Sequence, residues 1–263
     1  MKRKSLGKAM LVAANVALLA GCNGGAQPPQ GEDLATANDT APSTEEAQMS
    51  NDAPSTEGEW VNLFNGENLE GWRRYGGGTP NDAWVVEDGV LFLNIDDDTE
   101  EMTGGDLITE EQYENFELEL EWKISEGGNS GVFYGVREIE GQEVAYETGI
   151  EMQILDNERH VDGKVAETSA GSCYALYAPT QDALRPVGEY NKVRLVVEDG
   201  RAEHWLNGQK IVEYVIGSED WNRRIAESKF AEWEHFAKYR TGHIGLQDHT
   251  DPVWFRNIRI RKL

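Results

Sequence analysis

A perfectly alternating run of nine residues, Phe116 to Ile124, constrains the fold of this chain more than any other segment. Apolar side chains occupy every second position of the run, and three glutamates and a lysine fill the positions between them. Successive side chains of a β-strand point to opposite faces, so the pattern predicts a strand with one face in a core and the other in water.

The rest of the domain also has the pattern of strands. Residues 132–136, 192–198 and 202–214 are further strand candidates, and the last of these is divided by Asn207-Gly208. An Asn-Gly pair between two alternating segments is a strong signal for a hairpin with a two-residue turn. We expect a strand at 172–177 as well, and a final strand near the C-terminus at 253–260.

One short helix is predicted near residues 218–229. Ser218 is a suitable N-cap, Trp221 and Ile225 supply an apolar stripe, and Lys229 ends the segment, where a cation suits the helix dipole. Many strands and almost no helix indicate an all-β fold, a sandwich of two antiparallel sheets. A parallel α/β fold is excluded because helical segments do not alternate with the strands.

The N-terminal part of the chain predicts export rather than folding. Residues 1–22 combine a basic start, a short apolar run and a small-residue site before Cys22, as in a lipoprotein signal peptide whose cysteine receives the lipid. A plain signal peptide is the alternative. Residues 23–58 contain seven acidic and no basic residues, which predicts a disordered linker. One domain is left, residues 59–263. We expect a protein anchored to the cell envelope by lipid and facing the periplasm or the cell surface.

The net charge limits which partners the chain can bind, and the cysteine content limits its disulfides. The chain of 263 residues has a net charge of −24, and removing a signal with four basic and no acidic residues brings it near −28. Such acidity argues against nucleic acid and anionic membrane surfaces as partners. With Cys22 lipidated, Cys173 has no intrachain partner, and we expect a buried, inert thiol.

Residues 151–156 place acidic and amide groups on one predicted strand. Glu151 and Gln153 share a face, while Asp156 needs a bulge or the end of the strand to join them. Carboxylates and an amide on one concave face suit acid–base work on a sugar. A solvated strand face that ends in an Asp-Asn turn remains the alternative.

Polar groups also gather in residues 242–249, where a predicted strand ends. His243 and His249 flank Gln247 and Asp248, which concentrates proton-passing groups in one place. The spacing of these histidines matches no zinc motif. Elsewhere, in residues 203–208, Trp205 could be a platform on which a sugar ring stacks. The alternation of this strand is at least as compatible with Trp205 in the core and His204 in water.

Several segments together resemble one known family, the 3-keto-disaccharide hydrolase domain. The resemblance spans 59–263 and rests on residues 60–66 with 69–72, 128–132, Tyr146 with 151–157, 188–191, 203–208, 228–230 and 243–260. It implies a concanavalin-like jelly roll, related in architecture to laminarinases and lichenases. Those enzymes carry Glu-x-Asp-x-(x)-Glu, and here the strand has Glu151-x-Gln153-x-x-Asp156, which puts an ordinary double displacement in doubt.

The resemblance further implies a reaction on 3-keto-glucosides or 3-keto-disaccharides. A ketone at C3 makes the C2 proton acidic, so a base can remove it and the aglycone leaves C1 by elimination. Water then adds to give the free 3-keto sugar, or the unsaturated sugar is released. His249 or His204 is the expected base, and Glu151 or Asp156 the acid at the leaving oxygen.

An enolate forms in that scheme and needs stabilising. Lys229, with Gln247 or Asn129, is expected to stabilise it, and a divalent metal cation is the alternative electrophile. No cofactor is otherwise expected. Further substrate contacts are expected from Gln153, Trp205, His243 and Asp248.

Two other functions are compatible with this sequence. The same sandwich serves lectins, so a non-catalytic carbohydrate-binding lipoprotein would need the aromatic platforms and no acid–base set. A conventional endo-glucanase is the second, and the amide at Gln153 counts against it.

Overall fold

The computed structural model describes residues 58–95 and 104–263. The predicted signal with Cys22, and all of the predicted linker except Gly58, lie outside the described residues, so lipidation and export stay predictions. Within the described ranges, no helix combines the length and the hydrophobicity needed to cross a membrane.

The described chain folds into two antiparallel sheets, as predicted. The larger sheet has the side-by-side order β11 (Gln209–Val215), β10 (Arg201–Leu206), β9 (Asn191–Glu198), β6 (Phe116–Ile124), β13 (Val253–Lys262), β4 (Val90–Leu93) and β3 (Trp84–Glu87), with β1 (Val61–Asn62) on β13. The smaller sheet has the order β2 (Trp72–Arg74), β5 (Leu107–Tyr113), β12 (Gly242–Leu246), β7 (Asn129–Val136) and β8 (Ile150–Leu155).

Strand β6 lies inside the larger sheet, between β9 and β13, and behaves as its alternation predicts. Its apolar side chains, such as Trp122, are buried in the core between the sheets. Its glutamates face outward and pair across to arginines of β13, for example Arg259 with Glu119 at 2.6 Å. The apolar face therefore anchors the sandwich, and the polar face forms a ladder of cross-strand ion pairs.

The smaller sheet is buried on both faces, which alternation alone does not show. Met152 and Ile154 of β8 point into the main core. On the opposite face, Phe133 of β7 joins a second, smaller cluster with Ile108 and Tyr75. Every residue of β7 is buried. Polar groups on the outer face near β7 and β8 are therefore buried or half-buried, although Glu110 and Glu111 of β5 remain exposed.

Local predictions for the turn and the helix are confirmed, and one strand prediction is wrong. Asn207 and Gly208 both have positive φ and form the two-residue hairpin turn between β10 and β11. Helix α1 (Glu219–Glu227) begins after Ser218, whose hydroxyl accepts a hydrogen bond from the Trp221 N–H at 3.1 Å. Residues 172–177 form a loop held by isolated bridges, because Cys173 pairs back onto Tyr177 within the segment.

His204 is fully buried in the core between the sheets. Its Nδ1 lies 3.0 Å from the carbonyl oxygen of Gly171, and its Nε2 lies 3.2 Å from the hydroxyl of Tyr134 and 3.3 Å from that of Tyr214. Burial lowers the pKa of this imidazole to about 4. Both ring nitrogens are engaged inside the core, so this position gives no support to the prediction of His204 as a base.

The substitution His204→Leu is expected to lower the free energy of unfolding by about 1–3 kcal/mol, because it leaves buried hydrogen-bonding groups without their partner. Urea unfolding measures the loss. His235→Leu is the matched control, since that half-buried imidazole contacts the Tyr239 hydroxyl near the surface, and a change within about 0.5 kcal/mol is expected. Equal effects of the two substitutions would contradict a structural role for His204.

Candidate active site

A pocket of about 300 Å³ lies on the outer face of the smaller sheet. Strands β7 and β8 form its floor, and the segments after β12 and around 229–236 form its walls. The lining residues are Asn129, Tyr146, Gly149, Glu151, Gln153, Cys173, Tyr174, Lys229, Phe230, Trp233, Phe236, Gln247 and His249. Three of the five predicted catalytic residues and three of the six predicted substrate-binding residues meet here.

Glu151 lies on the pocket floor, and a glycine on the neighbouring strand makes room for it. A Cβ added at Gly131 would stand 2.4 Å from Oε1 of Glu151, so only a residue without a side chain fits beneath the carboxyl group. Desolvation raises the pKa of Glu151 to about 8, although the positive charges of Lys229 and His249 oppose the rise. At neutral pH this carboxyl group therefore holds a proton that it can give away.

His249 is oriented by Asp251, a residue that the sequence analysis did not select. Nδ1 of His249 lies 3.8 Å from Oδ2 of Asp251, and Nε2 lies 3.4 Å from Nδ2 of Asn129. The backbone N–H of Asn129 in turn donates to the Asp251 carboxylate at 3.0 Å. Hydrogen bonding and charge from Asp251 raise the pKa of His249. In the tautomer with its proton on Nδ1, the side that faces Asp251, Nε2 has the lone pair that can accept a proton once its long contact with the Asn129 amide is given up.

Lys229 begins a short 3-10 turn, Lys229–Glu232, that Ser228 caps. Its ammonium lies 4.3 Å from the ring centroid of Tyr174 and 5.7 Å from that of Trp233. Desolvation lowers the pKa of Lys229, and the negative charges of Glu151 and Asp162 oppose the fall. The cation thus sits at the pocket against aromatic faces.

Buried amide groups give the pocket unused hydrogen-bonding capacity. Within the described residues, the side-chain oxygens of Asn129, Gln153 and Gln247 are buried and have no partner. Leaving such groups unpaired costs free energy, so three of them around one pocket indicate a polar ligand that would satisfy them. The predicted substrate-binding positions of these three residues agree with this geometry.

The opposite wall of the pocket is aromatic. Tyr146 and Trp233 lie with ring centroids 5.7 Å apart, and Trp233 packs edge-on against Phe230. Tyr146 is exposed at the rim, whereas Phe230 and Phe236 are buried behind it. The pocket therefore has one polar and one apolar side, which suits a sugar ring.

Asp156 does not line this pocket, so its position gives no support to its prediction as an acid. Its carboxylate accepts hydrogen bonds from the backbone N–H of Gly127 at 2.7 Å and of Glu158 at 3.0 Å. Burial alone would raise the pKa of Asp156, but these donors and Arg159 outweigh it and lower the pKa. The chain turns directly after β8, and Asp156 holds that turn together.

Three predicted substrate contacts are also placed elsewhere. Trp205 lies on the larger sheet, where its indole N–H donates to Glu203 and Arg194 covers the ring. His243 is buried with Nδ1 2.6 Å from the carbonyl oxygen of Thr109. The buried Asp248 carboxylate accepts from the backbone N–H groups of two glycines at 104 and 105, each at 2.8 Å. Each has partners within the fold, which leaves none of them a group for a ligand in this pocket.

Sequence reasoning also missed several pocket residues. Asp251 lies two positions after His249, and that short spacing was its available signal. Tyr174 was assigned to a strand that does not form, and Trp233 carries no motif of its own. Trp233 follows Lys229 by four residues, and the 3-10 turn between them brings the indole to the ammonium. Within the described residues, no group of three or more His, Cys, Asp or Glu side chains could hold a metal ion, and the divalent cation stays a prediction.

The pocket combines a protonated acid, an oriented imidazole, a cation and free amide groups. A carboxyl group with a raised pKa and a carboxylate-paired histidine can transfer protons in opposite directions near neutral pH. Lys229 and the amides can stabilise negative charge that develops on a substrate oxygen. The arrangement therefore suits proton abstraction from carbon coupled to departure of a leaving group.

Comparisons with known proteins agree with a pocket that acts on carbohydrates. The family model of the 3-keto-alpha-glucoside-1,2-lyase-like domain matches residues 59–261. A 3-keto-disaccharide hydrolase of Bacteroides thetaiotaomicron is 32% identical over 291 aligned positions, which cover 100% of both chains. Two solved structures from Parabacteroides distasonis, both assigned to the glycosyl hydrolases, are similar in fold. One is 33% identical with a TM-score of 0.70, covering 78% of this chain and 94% of its own. The other is 27% identical with a TM-score of 0.59, covering 78% and 100%.

The pKa of Glu151 gives a pH test on stability. The pKa of Glu151 is about 8 in the folded protein and about 4.5 in the unfolded chain. Between these two pH values the folded protein binds more protons than the unfolded chain, so the free energy of unfolding falls as the pH rises from about 4.5 to about 8. Glu151→Gln removes this penalty, so the variant should gain stability relative to the parent from about pH 4.5 to about pH 8. Urea unfolding across this range measures the gain. Glu198→Gln controls for the loss of one exposed negative charge. Parallel curves for the parent and Glu151→Gln would contradict the raised pKa.

Proposed function

Because this chain belongs to the 3-keto-alpha-glucoside-1,2-lyase-like family, we propose that it cleaves the glycosidic bond of sugars oxidised to a ketone at C3. The observation that carries the proposal is the meeting of Glu151, His249 and Lys229 in one pocket lined by unpaired amide oxygens. The Bacteroides relative is named for the hydrolysis of 3-keto-disaccharides, which supports a carbohydrate substrate of this kind here.

The proposed reaction begins with proton abstraction at C2. Nε2 of His249 takes the proton, while Asp251 holds Nδ1–H and stabilises the imidazolium that forms. The electron pair left on C2 moves toward C3, and negative charge develops on the C3 oxygen. Lys229 and the amides of Asn129 and Gln247 stabilise this charge.

Departure of the aglycone completes the elimination. The C1–oxygen bond breaks, its electron pair leaves with the oxygen, and the protonated Glu151 supplies the proton that this oxygen needs. The sugar is left with a C1–C2 double bond conjugated to the ketone. Addition of water, with hydroxyl on C1 and the proton on C2, then gives the free 3-keto sugar.

The surroundings of four residues support a choice for each of two roles that the sequence left open. His204 is enclosed in the core, which favours His249 as the base. Asp156 is bound to backbone N–H groups outside the pocket, which favours Glu151 as the acid. The enolate contacts remain shared between Lys229 and the two amides.

A direct assay tests the proposed function. The full chain is incubated with 3-keto-trehalose, a 3-keto-β-glucoside and the unoxidised parents in D₂O, with and without EDTA or added divalent cation, and products are followed by mass spectrometry and NMR. We expect cleavage of keto forms alone, deuterium at C2, and a loss of about 10²–10⁴-fold in His249→Ala and Glu151→Gln. His235→Ala is the matched control and should retain activity.

Other outcomes of this assay would reject the proposal. Cleavage of the unoxidised parents at a similar rate would identify a conventional glycosidase. Binding of the sugars without cleavage would identify a carbohydrate-binding protein. Loss of turnover in EDTA would keep the proposed reaction and assign the electrophile to a metal ion in place of Lys229.

The pH dependence of turnover should be bell-shaped. Activity rises as His249 loses its proton, above the ordinary pKa of 6.5, and falls as Glu151 loses its proton near pH 8. Asp251→Asn removes the group that raises the pKa of His249, so the acidic limb should move to lower pH. Asp162→Asn tests the other limb. Because the charge of Asp162 raises the pKa of Glu151, this variant should move the alkaline limb to lower pH and leave the acidic limb unchanged. Movement of the same limb in both variants would contradict these roles.

A further inference from the structure

The amine of Lys229 lies against aromatic rings. Among the described residues its contacts are the ring faces of Tyr174, Phe230 and Trp233, with no hydrogen bond or ion pair. Lys210 of the larger sheet, by contrast, is paired, and its ammonium lies 2.5 Å from a carboxylate oxygen of Glu213. Lys229 is therefore an uncommitted amine inside a pocket.

The surroundings of this amine favour its reactive form. Desolvation among aromatic rings disfavours the ammonium, so the neutral amine with its lone pair is more accessible than in water. Glu151 and His249 line the same pocket and can move the protons that addition to a carbonyl requires. A desolvated lysine beside proton-transfer groups is a typical arrangement for imine chemistry.

We propose that Lys229 forms a covalent imine with the C3 ketone of the substrate. This rests on the proposed function, because only the oxidised sugar carries a ketone at that position. Nζ attacks C3 to give a carbinolamine, the carbon–oxygen bond then breaks, and one water leaves. Overall an ammonium and a ketone become a protonated imine and water, with no net gain or loss of protons.

The imine then carries the elimination. His249 removes the C2 proton, and the electron pair moves through C2–C3 onto Nζ, which gives a neutral enamine instead of an enolate. The pair returns to form the C1–C2 double bond as the C1–oxygen bond breaks, and Glu151 protonates the leaving oxygen. One water then hydrolyses the imine, which restores the C3 ketone and frees Lys229.

Borohydride trapping tests this step without requiring cleavage. The full chain is incubated with 3-keto-glucose and sodium borohydride, and adducts are located by intact mass and peptide mapping. We expect a single secondary amine on Lys229 whose added mass is that of the sugar less one oxygen atom. Lys229→Arg and Lys229→Met should not be labelled, and urea unfolding shows that both variants remain folded.

Lys123 is the matched control. Its ammonium also lies over two rings, 4.1 Å from the Trp254 centroid and 5.4 Å from that of Tyr190, but it belongs to β6 of the larger sheet and does not line the pocket. Lys123→Met should be trapped to the same extent as the parent. Labelling of Lys123 as strong as that of Lys229 would show unselective chemistry and would overturn the proposal.

Turnover separates this proposal from the proposed function. Lys229→Arg retains the positive charge and cannot form the imine, so it should lose activity as severely as Lys229→Met, by about 10²-fold or more. Cleavage of 3-keto-glucosides by the parent without any adduct, or by Lys229→Arg at near-parent rates, would overturn the imine and leave the proposed function intact. Absence of both adduct and cleavage would overturn both.

Discussion

Burial of the smaller sheet on both faces is the constraint from which the chemistry of the pocket follows. Its inner face packs into the main core, and its outer face carries a second apolar cluster around Phe133. On that outer face Gln153 is buried and Glu151 is half-buried, although neither is in the core. A sheet with one solvated face would leave the same carboxyl group ionised. The fold thus creates a low-dielectric surface, and the loops over it decide which groups meet there.

Two proton-holding groups in the pocket acquire raised pKa values for different physical reasons. Dehydration holds the proton on Glu151, and it outweighs the attraction of nearby positive charge. Pairing with Asp251 holds the proton on His249, and burial opposes it. Both side chains of the histidine–aspartate pair are partly exposed, so salt can screen their interaction, whereas dehydration has no such dependence. A change in salt concentration can therefore shift the pKa of His249 without shifting that of Glu151, even though the two residues share one pocket.

Periodicity predicted the parts of this fold that depend on local chemistry. The alternation of β6, the Asn207-Gly208 turn and the Ser218 cap each follow from backbone and side-chain preferences of neighbouring residues. Alternation also placed Glu151 and Gln153 on a common face. It could not show which face of β10 meets the core, which is why His204 was predicted as a base. Phe230 and Trp233 lie within four residues of Lys229, whereas Tyr174 comes from a distant loop that only the long-range packing of the chain brings to the same place.

Gly131 has a consequence for how chains of this kind can diverge. It contributes no functional group, yet the Glu151 carboxyl occupies the space that any side chain at position 131 would need. A larger residue at position 131 would fit only in a related chain whose residue 151 is shorter or whose carboxyl group has moved away. The two positions are therefore expected to covary across related chains. In an alignment of related chains, position 131 is therefore expected to vary as little as the reactive residues of the pocket. The cause would be steric: the Glu151 side chain on the neighbouring strand excludes a side chain at position 131.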